Sequence, residues 1–314
     1  MHVFTRSLLV TVAWFSLAHA DHLRVGKSEP KGFDFAILDV GIAKGFYHKR
    51  GLDIDVYGFA GGAKEMAALA AGAIDIDLGA GAEMASIAKG VPAKAVAAMA
   101  GPPLNMCLVV LPGAFSKPED LKGRSIGIST AASLTDAMAT YFSRDMGWGL
   151  DGMKHVALGN VDAELAGLFA KNVDSAVIDT EEGYHLQGMG RIKVLTLFGT
   201  VIPVFLTHAI FASNDLIAKN PDSIIRFLAG WFETVRWMQA NRAEAIALSQ
   251  KVTLLPNDIA GQIYDEQMKA MYYTDGHFPP AVIDAMRQLF LDLHMLPSVP
   301  PNGDLYTEEF LSKE

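Results

Sequence analysis

The chain has 314 residues, 51% of them hydrophobic, which suffices for one or two packed cores and excludes a largely disordered protein. Its formal net charge is −9 and no Lys/Arg cluster interrupts the acidic balance, so no nucleic-acid partner is expected. Cys107 is the only cysteine, which rules out a disulfide framework and a cysteine-based metal site.

Residues 1–20 read as a signal peptide. Arg6 supplies a basic start, 7–17 (SLLVTVAWFSL) a short apolar run, and Ala18-His19-Ala20 a small-x-small cleavage site. The run is too short to span a bilayer and no stop-transfer pattern follows. The mature chain is expected to begin near Asp21, to be exported to the periplasm, and to lack a lipid anchor at a cut with no cysteine after it.

From there short apolar runs alternate with helical patterns. A strand at 23–26, a helix at 35–49 ending at Gly51 and a strand at 52–57 form a βαβ unit. Gly61-Gly62 opens a helix to residue 71, a strand follows at 74–78, a helix at 83–88 and a strand at 93–99. The apolar window 93–111 is broken by Gly101-Pro102-Pro103 and Asn105, so it reads as two buried strands around a turn. The pattern restarts with strands at 125–128, 155–158, 175–178 and 193–197, separated by helices at 133–145, 162–171 and 181–187. One more strand, 206–213, precedes an almost wholly helical remainder. In its long helix, 222–240, Ile224, Leu228, Trp231, Val235 and Met238 share one face, the pattern of a core stripe, with Trp237 off it. This order predicts a discontinuous first lobe, 21–112 plus 205–314, and a second lobe, 113–204, with crossings near 111–113 and 204–207. Both lobes should hold mainly parallel sheets flanked by helices.

Ligands of open α/β sheets collect beyond the carboxyl ends of the strands, where helix N-termini point unpaired N–H groups into the crevice. That rule selects the loops 30–35, 59–64 and 79–83 in the first lobe and 129–135, 159–162 and 179–182 in the second. The candidate binding residues are Phe33, Asp34, Phe35, Gly61, Gly62, Ala63, Gly81 and Glu83 on one side. Opposite them stand Ala131, Ala132, Ser133, Asn160, Asp179 and Glu181. Each has a bland alternative. The glycine pair is either a close approach to ligand or a plain turn, and Ser129, Thr130, Ser133 and Thr135 either donate hydroxyls or cap the next helix. Phe33 and Phe35 either flank a ligand or fill the core. Asp34, Glu83, Asp179 and Glu181 outnumber Lys31 and Lys64 in these loops. They favour a ligand with a positive group or hydrogen-bond donors, unless they are solvated caps.

Gly-x-Ser-x-Gly, Walker, His-Glu-x-x-His and Gly-x-Gly-x-x-Gly motifs are absent, and no two of the nine histidines stand four apart. No metal or cofactor is expected, and His208 reads as a structural histidine.

Several segments carry a family resemblance: 41–55 (GIAKGFYHKRGLDID), Gly61-Gly62, 68–77 (ALAAGAIDID), Ala88-Lys89-Gly90, 118–129 (PEDLKGRSIGIS) with Thr135-Asp136, and 220–240. In this order they resemble the solute-binding proteins of ABC importers, in the group serving nitrate, sulfonates, taurine and thiamine-pyrimidine precursors. The resemblance implies a two-lobed type II periplasmic-binding-protein fold. It also implies hinge closure on a small organic solute, which is a sulfonate, a taurine-like amine or a pyrimidine-like compound. The partner would be an ABC permease in the inner membrane, with the binding protein a monomer and no catalysis. Two departures weigh against ordinary alkanesulfonate or nitrate specificity. Ala63 stands where members often carry a hydroxyl, and Asp179-Thr180-Glu181-Glu182 replaces an aromatic-Glu-Pro run. The acidic run leans toward an amine-bearing or heterocyclic solute. The alternatives are a pyrimidine-related enzyme on the same fold, whose Cys-rich motif this chain lacks, and an extracytoplasmic sensor.

Overall fold

The computed structural model describes residues 20–202 and 204–312, so the leader, apart from Ala20, lies outside the described residues. The chain runs β1 (Asp21–Lys27), α1 (Phe33–Ala43), β2 (Leu52–Gly58), α2 (Gly62–Ala70), β3 (Ile76–Ala80), α3 (Met84–Ala88) and β4 (Ala93–Ala100). It continues through β5 (Met106–Val110), β6 (Ser125–Ile128), α4 (Leu134–Asp145), β7 (Lys154–Ala157), α5 (Val161–Phe169), β8 (Ser175–Asp179), α6 (Thr180–Gly188), β9 (Lys193–Leu197) and α7 (Phe198–Val201). It ends with β10 (His208–Ser213), α8 (Asn214–Lys219), α9 (Pro221–Ala240), α10 (Arg242–Thr253), α11 (Asn257–Gln267), α12 (Pro280–Asp292) and α13 (Asn302–Leu305).

Two five-stranded sheets share one topology: β2-β1-β3-β10-β4 and β7-β6-β8-β5-β9. In each, four strands point the same way and one, β10 or β5, runs against its neighbours. These two are the strands that follow a crossing, because a chain arriving from the other lobe enters at the opposite end of the sheet. The first crossing is 101–105, earlier than the 111–113 expected from the sequence, since β5 pairs with β8 and β9. Its alternation fits that place: Leu108 and Val110 fill one face of the second sheet, Cys107 and Val109 the other. The return lies between Leu197 and His208.

Local chemistry sets the element ends. Side chains of Ser133, Asn160, Ser213 and Asn220 cap α4, α5, α8 and α9, and Pro221 opens α9, where a missing N–H costs nothing. Helix α1 stops at Ala43, short of the expected residue 49, because Gly45 and Gly51 turn the chain through left-handed conformations around a short 3₁₀ turn. The turn seats Tyr47 on Phe227 at 5.3 Å between ring centres.

The stripe of α9 is wholly buried, packed with α1, α10 and α11 on one face of the first sheet. Trp237 packs beside Phe46 with Lys44 over its ring. A second apolar cluster takes in Leu206 and Phe211 of the first lobe, Leu108 and Ile126 of the second, and Ile283 and Phe290 of α12. The C-terminal region thus packs into a core that both lobes share. Among the described residues no helix is long and apolar enough to cross a membrane.

Candidate ligand-binding site

The carboxyl ends of both sheets face one another across a cleft whose loops interlock. Lys31 reaches Asp162 at 2.7 Å, and Gly61, at φ +97°, brings its backbone against Ser129 and Thr130. Two carboxylates cross the cleft in opposite directions. Glu29, after β1, accepts the Val161 N–H at the start of α5 (3.2 Å), and Glu181, from α6, accepts the Phe33 N–H at the start of α1 (3.3 Å). Both helices therefore have an N-terminal N–H satisfied by a carboxylate of the other lobe, where such groups are otherwise anion sites.

An inner cavity of about 60 Å³ lies between the lobes. Its first-lobe wall includes Glu29, Phe35, Gly62, Glu83 and His208. Its second-lobe wall includes Ser129, Ser133, Asn160, Glu164 and Asp179. An outer recess of about 190 Å³ shares Glu29, Val161 and Asp179 with it and adds Glu181, Glu182 and His185. The Glu29–Val161 hydrogen bond belongs to the wall that the two spaces share.

The cleft is strongly acidic. Glu83 is buried with Oε1 accepting the Ala80 N–H (3.3 Å) and Oε2 unpartnered, and burial pushes its carboxyl up to about 8. Glycine at 62 permits this, because a Cβ there would stand 1.7 Å from Glu83 Oε1. Behind Glu83 lie Glu65 and Asp77, both wholly buried, with side-chain oxygens lacking partners and carboxyls raised well above their usual range, first by burial. In the opposite wall Glu164 has an unpartnered Oε1 and a carboxyl raised by burial and then by Glu29. Burial, then the neighbouring carboxylates, raises Asp179, and burial, then Asp34, pushes Glu181 up to about 8.

Asp34 sits beneath this cleft and outside its walls. Its carboxylate accepts hydrogen bonds from Asn105 Nδ2 (2.7 Å) in the first crossing and from the Tyr272 hydroxyl, with His208 Nδ1 at 3.6 Å. Burial lowers the His208 pKa, partly offset by Asp34, so the ring is neutral and packs edge-on against Phe35 at 5.0 Å.

Of the residues selected from sequence, the inner cavity brings together Phe35, Gly61, Gly62, Glu83, Ser133, Asn160 and Asp179, and the outer recess adds Glu181. The others stand elsewhere. Phe33 is core, edge-on to Tyr272, and reaches the cleft only through its backbone N–H. Asp34 is the buried hub. Gly81 packs against the return crossing, where a Cβ would fall 2.1 Å from the Leu206 carbonyl oxygen. Ala63 lines neither space, and Ala131 and Ala132 are exposed on the outer side of their loop. Ser133 does line the cavity, yet its Oγ also accepts the Asp136 N–H (3.3 Å) and binds Ser129 and Thr135. Ser133→Ala is therefore expected to lower stability by about 1 kcal/mol, read as a lower urea midpoint at unchanged slope.

Sequence reasoning missed Glu29, Met106 and Glu164. Glu29 stands just before the loop 30–35, and Met106 lies on β5, whose sequence alone assigns it to the first lobe although it pairs in the second sheet. Glu164 had a usable signal: it follows Asn160 by four residues, which brings it to the same face of α5.

Known proteins share this architecture. The alkanesulfonate-binding protein SsuA from Xanthomonas axonopodis pv. citri, solved with MOPS, aligns over 91% of this chain and 98% of its own, with TM-score 0.76 and 17% identity. A Candida albicans protein described as having the generic periplasmic binding protein fold aligns over 94% and 98%, with TM-score 0.79 and 16% identity. In sequence, a protein of Brucella abortus (strain 2308), provisionally named a binding protein, is 25% identical over 228 residues, 69% of this chain and 67% of its own. The fold is thus that of the periplasmic binding proteins, and with residues 32–245 matching the family described as NMT1/THI5 like, the chain belongs to that family.

Proposed function

We propose that this protein is the extracytoplasmic solute-binding component of an ABC importer, capturing a small organic solute between its lobes and presenting it to an inner-membrane permease. The observation that carries the reading is a cavity walled by both lobes, with polar side chains such as Glu83 and Asn160 on its two sides, while the strand-bearing parts of the chain are joined only at 101–105 and 198–207. A ligand that touches both walls is fully contacted only when the lobes meet, so binding and closure are linked, with the two crossings as hinges. The family, and relatives named for solute binding, support the same reading. The leader pattern at 1–20 agrees with export. The cleft is read as a binding site and not a catalytic one.

The test is thermal unfolding of the mature chain against sulfonates, taurine, nitrate, amines and pyrimidines. A true solute at about a hundred times its dissociation constant should add roughly 2.7 kcal/mol and raise the Tm by several degrees, with a smaller radius of gyration in solution scattering. Recovery of the solute chemically unchanged agrees with transport. Conversion of a pyrimidine to product on prolonged incubation would overturn the proposal in favour of an enzyme.

A further inference from the structure

We infer that the solute selected by this cleft is a small organic cation, its ammonium or amidinium head held in the inner cavity between Glu83 and Glu164. The inference rests on the binding-protein reading above and names the solute class within it.

Three independent observations carry it. First, Glu83 from the first lobe and Glu164 from the second both line the inner cavity, and each is a buried carboxyl with one oxygen that has no hydrogen-bond partner. Buried polar atoms without partners are rare in native proteins, and two in opposing walls of one cavity match a donor placed between them. Second, two of the anion sites that the fold offers, at the starts of α1 and α5, are already filled. The N-termini of α1 and α5 are satisfied by Glu181 and Glu29, so an anion bound at either would have to displace a carboxylate, and an anion anywhere in the inner cavity would sit among Glu29, Glu83, Glu164 and Asp179. Third, the nearby cations are committed: Lys31 to Asp162 and buried Lys27 to Asp39, both at 2.7 Å, while Lys64 points to solvent. Glu65 and Asp77 behind Glu83 add to the negative side, and His208 is neutral. The inner volume of about 60 Å³ admits only a small head, so the rest of the molecule extends toward Glu181 and Glu182 of the outer recess.

The deciding experiment is calorimetry of the mature chain with butylamine, 1,4-diaminobutane and methylguanidine, set against ethanesulfonate, taurine, nitrate, cytosine and uracil. Binding is expected from the cationic set alone. Protons should be released on binding, measured from the dependence of the heat on buffer ionisation enthalpy, as carboxyls ionise beside the incoming charge. Glu83→Gln and Glu164→Gln keep side-chain shape and are expected to weaken the cation about tenfold or more without lowering the Tm. Binding of a sulfonate, nitrate or uncharged pyrimidine with the cations silent would overturn this inference and leave the binding-protein reading standing. Silence from every class would overturn both. Should the glutamine variants fail to fold, cation binding without proton release by the parent protein would overturn the inference on its own.

Discussion

Asp34→Ala is expected to lower stability by at least about 3 kcal/mol, a fall in Tm on the order of 5 °C for a chain of this size. The carboxylate is buried and joins distant parts of the chain: α1, the first crossing through Asn105, and the segment between α11 and α12 through Tyr272. Removing it strands two buried donors at once, and each unsatisfied buried group costs roughly 1–3 kcal/mol. Asp34→Asn keeps the shape and one acceptor, so its effect should be about half as large. The alanine change should also weaken solute capture, although Asp34 lies outside both cavities, because it fixes Asn105 in a hinge. An alanine variant that melts with the parent would show that these hydrogen bonds contribute nothing.

The ligand-free protein should lose stability as pH rises from about 5 to 8.5, by an amount that shifts the Tm on the order of 5–10 °C. Glu83 and Glu181 are pushed up to about 8, and Glu65, Asp77, Glu164 and Asp179 are raised in the same direction, above usual values of 4.5 for Glu and 3.8 for Asp. Between the unfolded and folded values the native chain holds protons that the unfolded chain has released. The stability so gained is complete below the unfolded values and fades as pH rises through the folded ones. Two other groups of residues act in the opposite sense at the acid end. Neutral His208 costs stability once the unfolded ring charges below about 6.5, and the lowered carboxyls of Asp21, Glu233, Asp265 and Asp292 lose their ion pairs at lower pH still. Maximum stability is therefore expected near pH 5–6. Glu83→Gln should flatten the alkaline limb, and a Tm that rises between pH 6 and 8.5 would contradict the assignment.

The alternation of strands and helices, the buried stripe of α9 and the loops that form the cleft were all legible, because hydrophobic period and glycine punctuation are local signals. The point where the chain first changes lobes was not. Residues 93–100 and 106–110 are equally apolar, and a strand buried on both faces gives no periodicity to say which sheet it joins. Within the site, loop positions were readable but side-chain directions were not. Ala131 and Ala132 turn outward because residue 132 takes a left-handed φ of +61°, while Glu164 enters the cleft from the first turn of a helix. Asp34 reads from sequence as a ligand contact, whereas it is a buried hub outside both cavities, because its partners Asn105 and Tyr272 lie 71 and 238 residues away, beyond any local pattern.

The placement of β10 governs the order in which the molecule can be built. This strand lies inside the first sheet and supplies the ladder partner of β4, yet it is not made until residues 208–213. The second sheet draws all its strands from one continuous stretch, 106–197. During synthesis the second lobe can therefore complete its sheet while the first still waits with β4 unpaired. The cavity between the lobes, whose wall includes His208 beside the earlier loops, is complete only after the return of the chain.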